Sequence, residues 1–191
     1  YIEPYEDGPS LAELPSYQPP SEVSNTILSE TSESRDNLRV GTVRVEEERS
    51  KLVVLVSARY KPKNEDEYET DRWGYTETEF IPAMEFIGMD DQTQALATEF
   101  IEYAVEESGG FANFRENATT TKSLVDRLEA LTLPRIDNIE DDLNRYLNRK
   151  EQAEELGAKI DRLSRQIDSI VYDMFSLEED DIAVVESTLE E

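Results

Sequence analysis

The spacing of the apolar residues changes along the chain, and this change most limits the folds that the chain can adopt. From Leu52 to Tyr60 apolar residues recur at every second position, which is the spacing of one face of a β-strand. Between residues 139 and 175 they recur at alternating steps of three and four, which is the spacing of one face of a helix. The sequence therefore predicts an α+β fold: a small antiparallel β-sheet with a packed helix, followed by a helical hairpin or long-helix region.

A β-hairpin is predicted over residues 38–60. Its first strand shifts the parity of its apolar residues after Gly41, which indicates a β-bulge at that glycine. Its second strand is apolar on both faces at its centre, where Val53 and Leu55 flank Val54. We therefore expect the second strand to lie inside the sheet.

Further elements are predicted after the hairpin. Alternating side chains predict a strand from Trp73 to Ile81, and Pro82 limits this run to an edge or an end of the sheet. Asp90 and Asp91 are predicted to cap the N-terminus of a helix. The long apolar stripe towards the C-terminus fits either an antiparallel helical pair or a helix laid across a partner domain.

These patterns divide the chain into three predicted segments. Residues 1–37 are rich in proline, serine and acidic residues, and predict either an arm draped over a neighbouring domain or a disordered tether. Residues 38–111 are predicted to form a small α+β domain with the hairpin, and residues 112–191 a helical C-terminal region. Because the chain begins with Tyr1 and not with Met, we expect it to be a fragment of a longer protein.

The composition excludes several classes of chemistry. The chain has no Cys and no His, which excludes a disulfide framework, a zinc finger, a thiol nucleophile and imidazole acid–base catalysis. No apolar run approaches the roughly 18 residues of a membrane span, and no signal segment opens the chain. We therefore expect a cytoplasmic protein that has no membrane partner.

The net charge of −26 indicates adaptation to concentrated salt. The chain holds 45 acidic residues against 19 basic ones, and only six of the basic residues are lysine. At 1 M salt the Debye length is about 3 Å, so a surface of like charges costs little there. We expect a halophilic origin, in preference to a disordered acidic tail or a mimic of nucleic acid.

One segment reverses this acidic balance. Residues 35–63 hold eight basic residues against four acidic ones, and an arginine and two aromatic residues follow at 72–75. Such a pattern favours contact with phosphates and bases, although the basic residues could equally form surface salt bridges and the aromatic residues could cover the sheet. The predicted DNA-binding residues are Arg39, Arg44, Arg59, Lys61, Lys63, Arg72, Trp73 and Tyr75.

No sequence motif for catalysis, phosphate binding or metal binding is found. The glycines form neither a G-x-G-x-x-G nor a G-x-x-x-x-G-K-[ST] motif, and the acidic clusters lack the alternating spacing of a calcium loop. No lysine is preceded two positions earlier by Asp or Glu, as in metal-dependent nucleases. We therefore expect no catalytic residue, no metal and no cofactor in this chain.

The C-terminal third resembles a known family. LTLPR at 131–135 precedes the long helix, and IDSIVYDMFSLEEDDI at 167–182 is followed by VVE at 184–186. This stretch resembles the tail of large single-chain restriction-modification adenine methyltransferases, in which a segment of the form I-D-x-x-V-Y-x-L-Y-x-L-T-x-E-E-I closes the specificity region. The BREX-type phage-defence methyltransferases end similarly. Met174-Phe175-Ser176 stands where Leu-Tyr-Gly is usual.

The resemblance implies a non-catalytic module for DNA target recognition and spacing. Its implied partners are double-stranded DNA and the methyltransferase domain of the same parent chain. The resemblance implies that this domain binds S-adenosylmethionine, and it leaves open whether the parent also has endonuclease activity. The chain itself lacks an N-P-P-Y-type motif, because its only Pro-Pro is followed by Ser21, and it lacks F-x-G-x-G. The alternative is an acidic helical adaptor that binds another protein and no nucleic acid.

Overall fold

The computed structural model describes residues 8–31, 33–49, 51–64, 67–107 and 116–189. The chain forms two compact units, Tyr1–Ile139 and Glu140–Glu191. The three-segment division made from the sequence stays a prediction, and its second limit lies outside the described residues.

The first unit is an antiparallel sheet with helices, and the predicted α+β fold is confirmed. The strands are β1 (Tyr17–Gln18), β2 (Arg39–Glu48), β3 (Lys51–Tyr60), β4 (Thr76–Glu77) and β5 (Ile81–Ile87). The helices are α1 (Asp91–Glu107), α2 (Leu124–Glu129), α3 (Ile136–Phe175) and α4 (Glu179–Leu189).

The sheet has the order β1-β5-β3-β2, and β4 pairs with the end of β3. β3 therefore has a neighbour on each side, which confirms the interior position predicted for it. Its alternate residues Leu52, Val54 and Val56 are buried on the core face, and Val53 and Ser57 are buried on the other face.

The predicted bulge at Gly41 is confirmed. The register of β2 against β3 shifts between Val40 and Val43, because one extra residue lies in β2 there. A Cβ atom at Gly41 would lie 2.5 Å from Oγ of Ser57 and 3.0 Å from its backbone oxygen. The Ser57 Oγ accepts a 2.8 Å hydrogen bond from the Thr42 N–H and donates one of 2.8 Å to Glu77. Only glycine leaves room for this buried polar contact.

Only part of the strand predicted from Trp73 to Ile81 forms, as β4 at Thr76–Glu77. Gly74 has φ +76°, and only Thr76 and Glu77 pair with β3 in this region. Beyond them, the Thr78 Oγ1 accepts a 3.0 Å hydrogen bond from the Ala58 N–H in place of a backbone carbonyl. This side-chain bond interrupts the ladder, and regular pairing resumes with β5 at Ile81.

Helix α1 begins and packs as expected for a capped amphipathic helix. The Asp90 Oδ1 accepts a 2.9 Å hydrogen bond from the Thr93 N–H, which confirms the predicted cap. Hydrogen bonds from the side chain and backbone of Thr93 hold the pKa of Asp90 below its ordinary value. Glu102 of α1 accepts a 2.6 Å hydrogen bond from the Val45 N–H of β2. The helix thus satisfies a backbone donor that β3 leaves unpaired.

The described N-terminal residues belong to the core of the first unit. Leu11 and Leu28 are fully buried. The Tyr17 and Phe86 ring centroids lie 5.8 Å apart, and the Tyr17 hydroxyl donates to Glu129. Burial and the hydrogen bond to Glu129 raise the pKa of Tyr17.

The second unit consists of α3 from residue 140 onward and α4. α4 folds back along α3, where Ile182 shares a shallow cleft with Ser169 and Tyr172. Within the described residues, no helix is both long and apolar enough to cross a bilayer.

Two glycine-to-alanine substitutions should change stability in opposite directions. Gly41→Ala places a methyl group against Ser57, and should lower the free energy of unfolding by about 1–3 kcal/mol. Gly157 lies in α3, and a Cβ added there would have no atom within 4 Å apart from its chain neighbours and the backbone of its own helix. Gly157→Ala should therefore raise helix stability by about 0.5–1 kcal/mol. Urea unfolding in molar KCl, followed by tryptophan fluorescence and circular dichroism, measures both. A neutral Gly41→Ala would show that the bulge does not need glycine.

Candidate nucleic-acid interface

The bulge places three of the predicted arginines on one face of the sheet. Directly opposed residues of antiparallel strands share a face. Arg39 is opposite Arg59, and Arg44 is opposite Leu55. Arg59 and Leu55 are both on the face of β3 that lies opposite its core-facing residues, so all three arginines lie on that face.

The Tyr75 ring gathers three of the cations. The Arg39 Cζ lies 4.3 Å from the centroid of this ring, the Arg59 Cζ 4.9 Å and the Lys61 Nζ 5.1 Å. The negative face of an aromatic ring attracts a cation at such distances. Tyr75 therefore offsets the repulsion between two arginines that stand directly opposite each other. Arg44 makes the same kind of contact with Phe80, at 4.3 Å.

We call this group the cation–aromatic surface. It consists of Arg39, Arg44, Arg59, Lys61, Tyr75 and Phe80.

The cations of the cation–aromatic surface differ in how far their charge is compensated. Arg59 forms ion pairs with Asp71 and with Glu77, the latter at 3.4 Å. Its Nε is buried and has no hydrogen-bond partner among the described residues. By contrast, no described carboxylate lies within 4 Å of the charged groups of Arg39, Arg44 or Lys61. Arg59 is therefore a structural cation, whereas Arg39, Arg44 and Lys61 form no ion pair with the described carboxylates, although Arg39 still interacts electrostatically with Asp71.

Asp71 holds the loop that carries the aromatic residues. Its Oδ1 accepts hydrogen bonds from the N–H groups of Trp73, at 2.9 Å, and Tyr75, at 3.0 Å. The bond from Tyr75 is the main reason that the pKa of Asp71 is lowered, with further contributions from Trp73, Arg59 and Arg39. The same carboxylate thus orders the backbone of the loop and holds Arg59.

Arg72 and Trp73, both predicted site residues, stack on each other at the tip of this loop. The Arg72 Cζ lies 3.9 Å from the centroid of the Trp73 ring. Trp73 is 56% exposed, so most of its surface faces solvent and it does not cover the sheet.

Lys63 lies apart from the Tyr75 ring, in a neighbouring cleft of about 340 Å³. Lys61, Arg35 and Tyr60 also line this cleft, together with acidic Glu67. Arg35 stacks on Tyr60 at 4.6 Å, and its Nε donates a 3.0 Å hydrogen bond to Glu30. The cleft therefore extends the basic region but mixes both signs of charge.

Three contributing residues were not among the predicted site residues: Arg35, Asp71 and Phe80. Arg35 was part of the basic segment, so its charge was a usable signal. Asp71 stands two positions before Trp73, which is the spacing of a side chain that accepts from the backbone in a turn. Phe80 had no usable signal, because its contact with Arg44 depends on the tertiary fold.

No protein-family model, curated protein or solved structure matches this chain. The resemblance to methyltransferase tails thus rests on the C-terminal residues themselves and stays a prediction. Among the residues that the structure describes, no group of three or more acidic side chains could hold a metal ion.

Removing the Tyr75 ring should destabilise the first unit. Tyr75→Leu leaves Arg39 and Arg59 opposed without the ring, and should lower the free energy of unfolding by about 1–2 kcal/mol. Tyr75→Phe keeps the ring and should change the free energy of unfolding by less than about 0.5 kcal/mol. Thermal unfolding followed by near-ultraviolet circular dichroism makes the comparison. Equal losses in the two variants would show that the hydroxyl, and not the ring face, matters.

Asp71 should control the mobility of Trp73, the only tryptophan of the chain. Asp71→Ala removes the acceptor for two backbone N–H groups and should lower the fluorescence anisotropy of Trp73. Asp71→Asn keeps an acceptor oxygen and should retain most of the Trp73 anisotropy. Because the pKa of Asp71 is lowered, wild-type anisotropy should persist below pH 3.8, its ordinary pKa, and fall only as pH drops through the lowered value. An unchanged anisotropy in Asp71→Ala would contradict the assigned role.

Proposed function

We propose that this chain is the DNA target-recognition and spacer module of a restriction-modification or phage-exclusion DNA methyltransferase, and that the cation–aromatic surface contacts double-stranded DNA. One observation carries this proposal. In a chain with 45 acidic residues, Arg39 and Lys61 lie over one ring, Arg44 lies on the same face of the sheet as Arg39, and none of the three has a described carboxylate at ion-pair distance.

Stacking on a ring suits an arginine for nucleic-acid contact. A guanidinium that lies over an aromatic face keeps the N–H donors at its edge, which can bind two acceptors at once. The acceptors offered by DNA are the phosphate oxygens and, in the major groove, O6 and N7 of guanine. The contacts of Arg39 with Tyr75 and of Arg44 with Phe80 thus restrict each side chain without using up its charge.

The net charge of −26 repels DNA in dilute buffer, but this repulsion is short-ranged in concentrated salt. At 1 M salt the Debye length is about 3 Å, so only groups in contact interact. Non-specific binding through counterion release also weakens as salt rises. Recognition in brine therefore depends on close contacts with base edges, to which exposed Trp73 contributes apolar contact and Arg72 hydrogen-bond donors.

In the proposed role the chain performs no chemistry. It holds the duplex beside a methyltransferase domain of the same parent chain, and that domain binds S-adenosylmethionine and methylates adenine. The C-terminal sequence resemblance supports this role, and the lack of a methyltransferase motif in the chain agrees with it.

The proposal is tested by removing the two arginines that have no ion pair. In Arg39→Gln/Arg44→Gln, the affinity for duplex DNA of random sequence should fall at least about 10-fold, and the slope of log K against log salt should shrink by about 1.8. Quenching of Trp73 and gel shifts over a KCl series measure both quantities. Selection from a random duplex library then identifies any preferred sequence.

A matched variant controls for the change in net charge. Arg149→Gln/Arg162→Gln removes two exposed arginines of α3 and should leave DNA affinity and its salt slope unchanged. If both double variants weaken binding equally, binding reflects net charge alone. If the wild-type chain binds no DNA at any salt at which it is folded, the proposed function is wrong.

The adaptor alternative is favoured by a separate observation, the exposed apolar side chains on α3, among them Ile160 and Ile167. An adaptor without a nucleic-acid role would bind its partner equally well after Arg39→Gln/Arg44→Gln and would show no DNA-dependent change in Trp73 fluorescence. The DNA titration therefore separates the two functions.

A further inference from the structure

Helix α3 carries an exposed heptad seam between Ala153 and Met174. We define the seam by its a positions (Ala153, Ile160, Ile167, Met174) and its d positions (Leu156, Leu163, Ile170). Apart from Ala153, also exposed, these side chains are between 47% and 70% exposed. Three consecutive heptads of apolar a and d residues are typical of a coiled coil, which buries such a seam against another helix.

The packing of α4 leaves the seam free. The cleft between the two helices is lined on α3 mainly by Arg165, Asp168, Ser169 and Tyr172, which occupy the b, c and f positions of the heptad. These positions lie on the side of the helix opposite to a and d. α4 therefore approaches α3 from the side opposite to the seam, and the seam stays exposed.

The charges beside the seam are unlike those of the rest of the chain. Between Ala153 and Met174 the flanking e and g positions hold a single acidic residue, Asp173, and a single basic one, Lys159. The outer b, c and f positions of the same stretch hold four acidic residues and two arginines. A surface that must approach a copy of itself cannot carry a row of like charges. The near neutrality of the flanks, in a chain of net charge −26, meets that requirement.

We infer that the seam of α3 pairs with the seam of a second copy of this chain in an antiparallel two-stranded coiled coil. In the register centred on Arg165, Ile160 of one copy faces Ile170 of the other, and Leu163 faces Ile167. Every one of these layers is apolar. The inference rests on α3 alone and stands whether or not the chain binds DNA.

Charge complementarity selects the antiparallel orientation. In the register centred on Arg165, the g positions of the two copies face each other, so that Lys159 meets Asp173 of the other copy and the reverse pair forms symmetrically. In a parallel pair, Lys159 would instead face Ser164 and form no ion pair. Antiparallel pairing also attaches the two copies of residues 1–139, with 29 acidic and 13 basic residues each, to opposite ends of the paired helices.

The first test is the mass of the particle in solution. Sedimentation equilibrium of the full 191-residue chain in molar KCl should show a dimer, and Ile167→Glu should raise the dissociation constant at least about 100-fold. Ala158→Glu, at an exposed f position, introduces the same charge outside the seam and should leave the dimer intact. Circular dichroism and Trp73 fluorescence confirm that both variants remain folded.

The second test determines the orientation of the pair by cysteine cross-linking. Any cysteine introduced for this purpose is the only one, because the chain contains none. Ser164→Cys places single thiols near each other across the antiparallel centre, and a short bis-maleimide should cross-link it to a dimer. Ala153→Cys places the thiols about 36 Å apart in this orientation, and should not cross-link.

Each other outcome overturns the inference. A monomer at about 100 µM wild-type chain would mean that the seam binds a different helix, such as one from a longer parent chain. A dimer that survives Ile167→Glu would place the interface elsewhere. Efficient cross-linking of Ala153→Cys would show a parallel pair.

Discussion

The pairing of β2 with β3 across the Gly41 bulge is the constraint on which the cation–aromatic surface depends. Arg39 and Arg44 are separated by an odd number of positions, so a regular strand would place them on opposite faces. The extra residue at the bulge brings both to the face of Arg59. The bulge in turn exists because glycine lets the strand approach buried Ser57, whose hydroxyl completes the hydrogen bonding there.

The cation–aromatic surface keeps its positive charge because rings, and not carboxylates, restrain most of its cations. An ion pair neutralises an arginine, whereas contact with Tyr75 or Phe80 leaves its charge available to a third group. Arg59 shows both kinds of contact at once, because it touches Tyr75 and also pairs with Asp71 and Glu77. In so acidic a chain this division separates one cation that forms ion pairs within the fold from those that contact only aromatic rings.

Helix α3 shows how an acidic chain can still present an apolar surface. Its acidic residues lie mainly at outer heptad positions, and α4 packs on that side of the helix near Tyr172. Apolar residues at alternating steps of three and four predict this apolar stripe. The pattern fits either a helical pair or a helix that lies across a partner domain. α4 does not bury the stripe, because its Ile182 meets α3 at a cleft on the opposite side.

The sequence by itself determined the features that depend on local spacing. The interior position of β3, the bulge at Gly41, the cap at Asp90 and the long C-terminal helix all follow from periodicity or from a single residue type, which act within a few positions of the chain. The strand expected from Trp73 forms only in part because Gly74 and Thr78 break its pairing with β3.

Only the tertiary structure decided which cations remain uncompensated. Eight basic residues lie in one segment of the sequence, but the sequence does not show which of them form ion pairs with a carboxylate. Arg59 reaches Asp71 and Glu77, 12 and 18 residues away, through strand register and a turn. Charge compensation acts through space over a few ångströms, and those distances exist only once β2, β3 and β4 have paired.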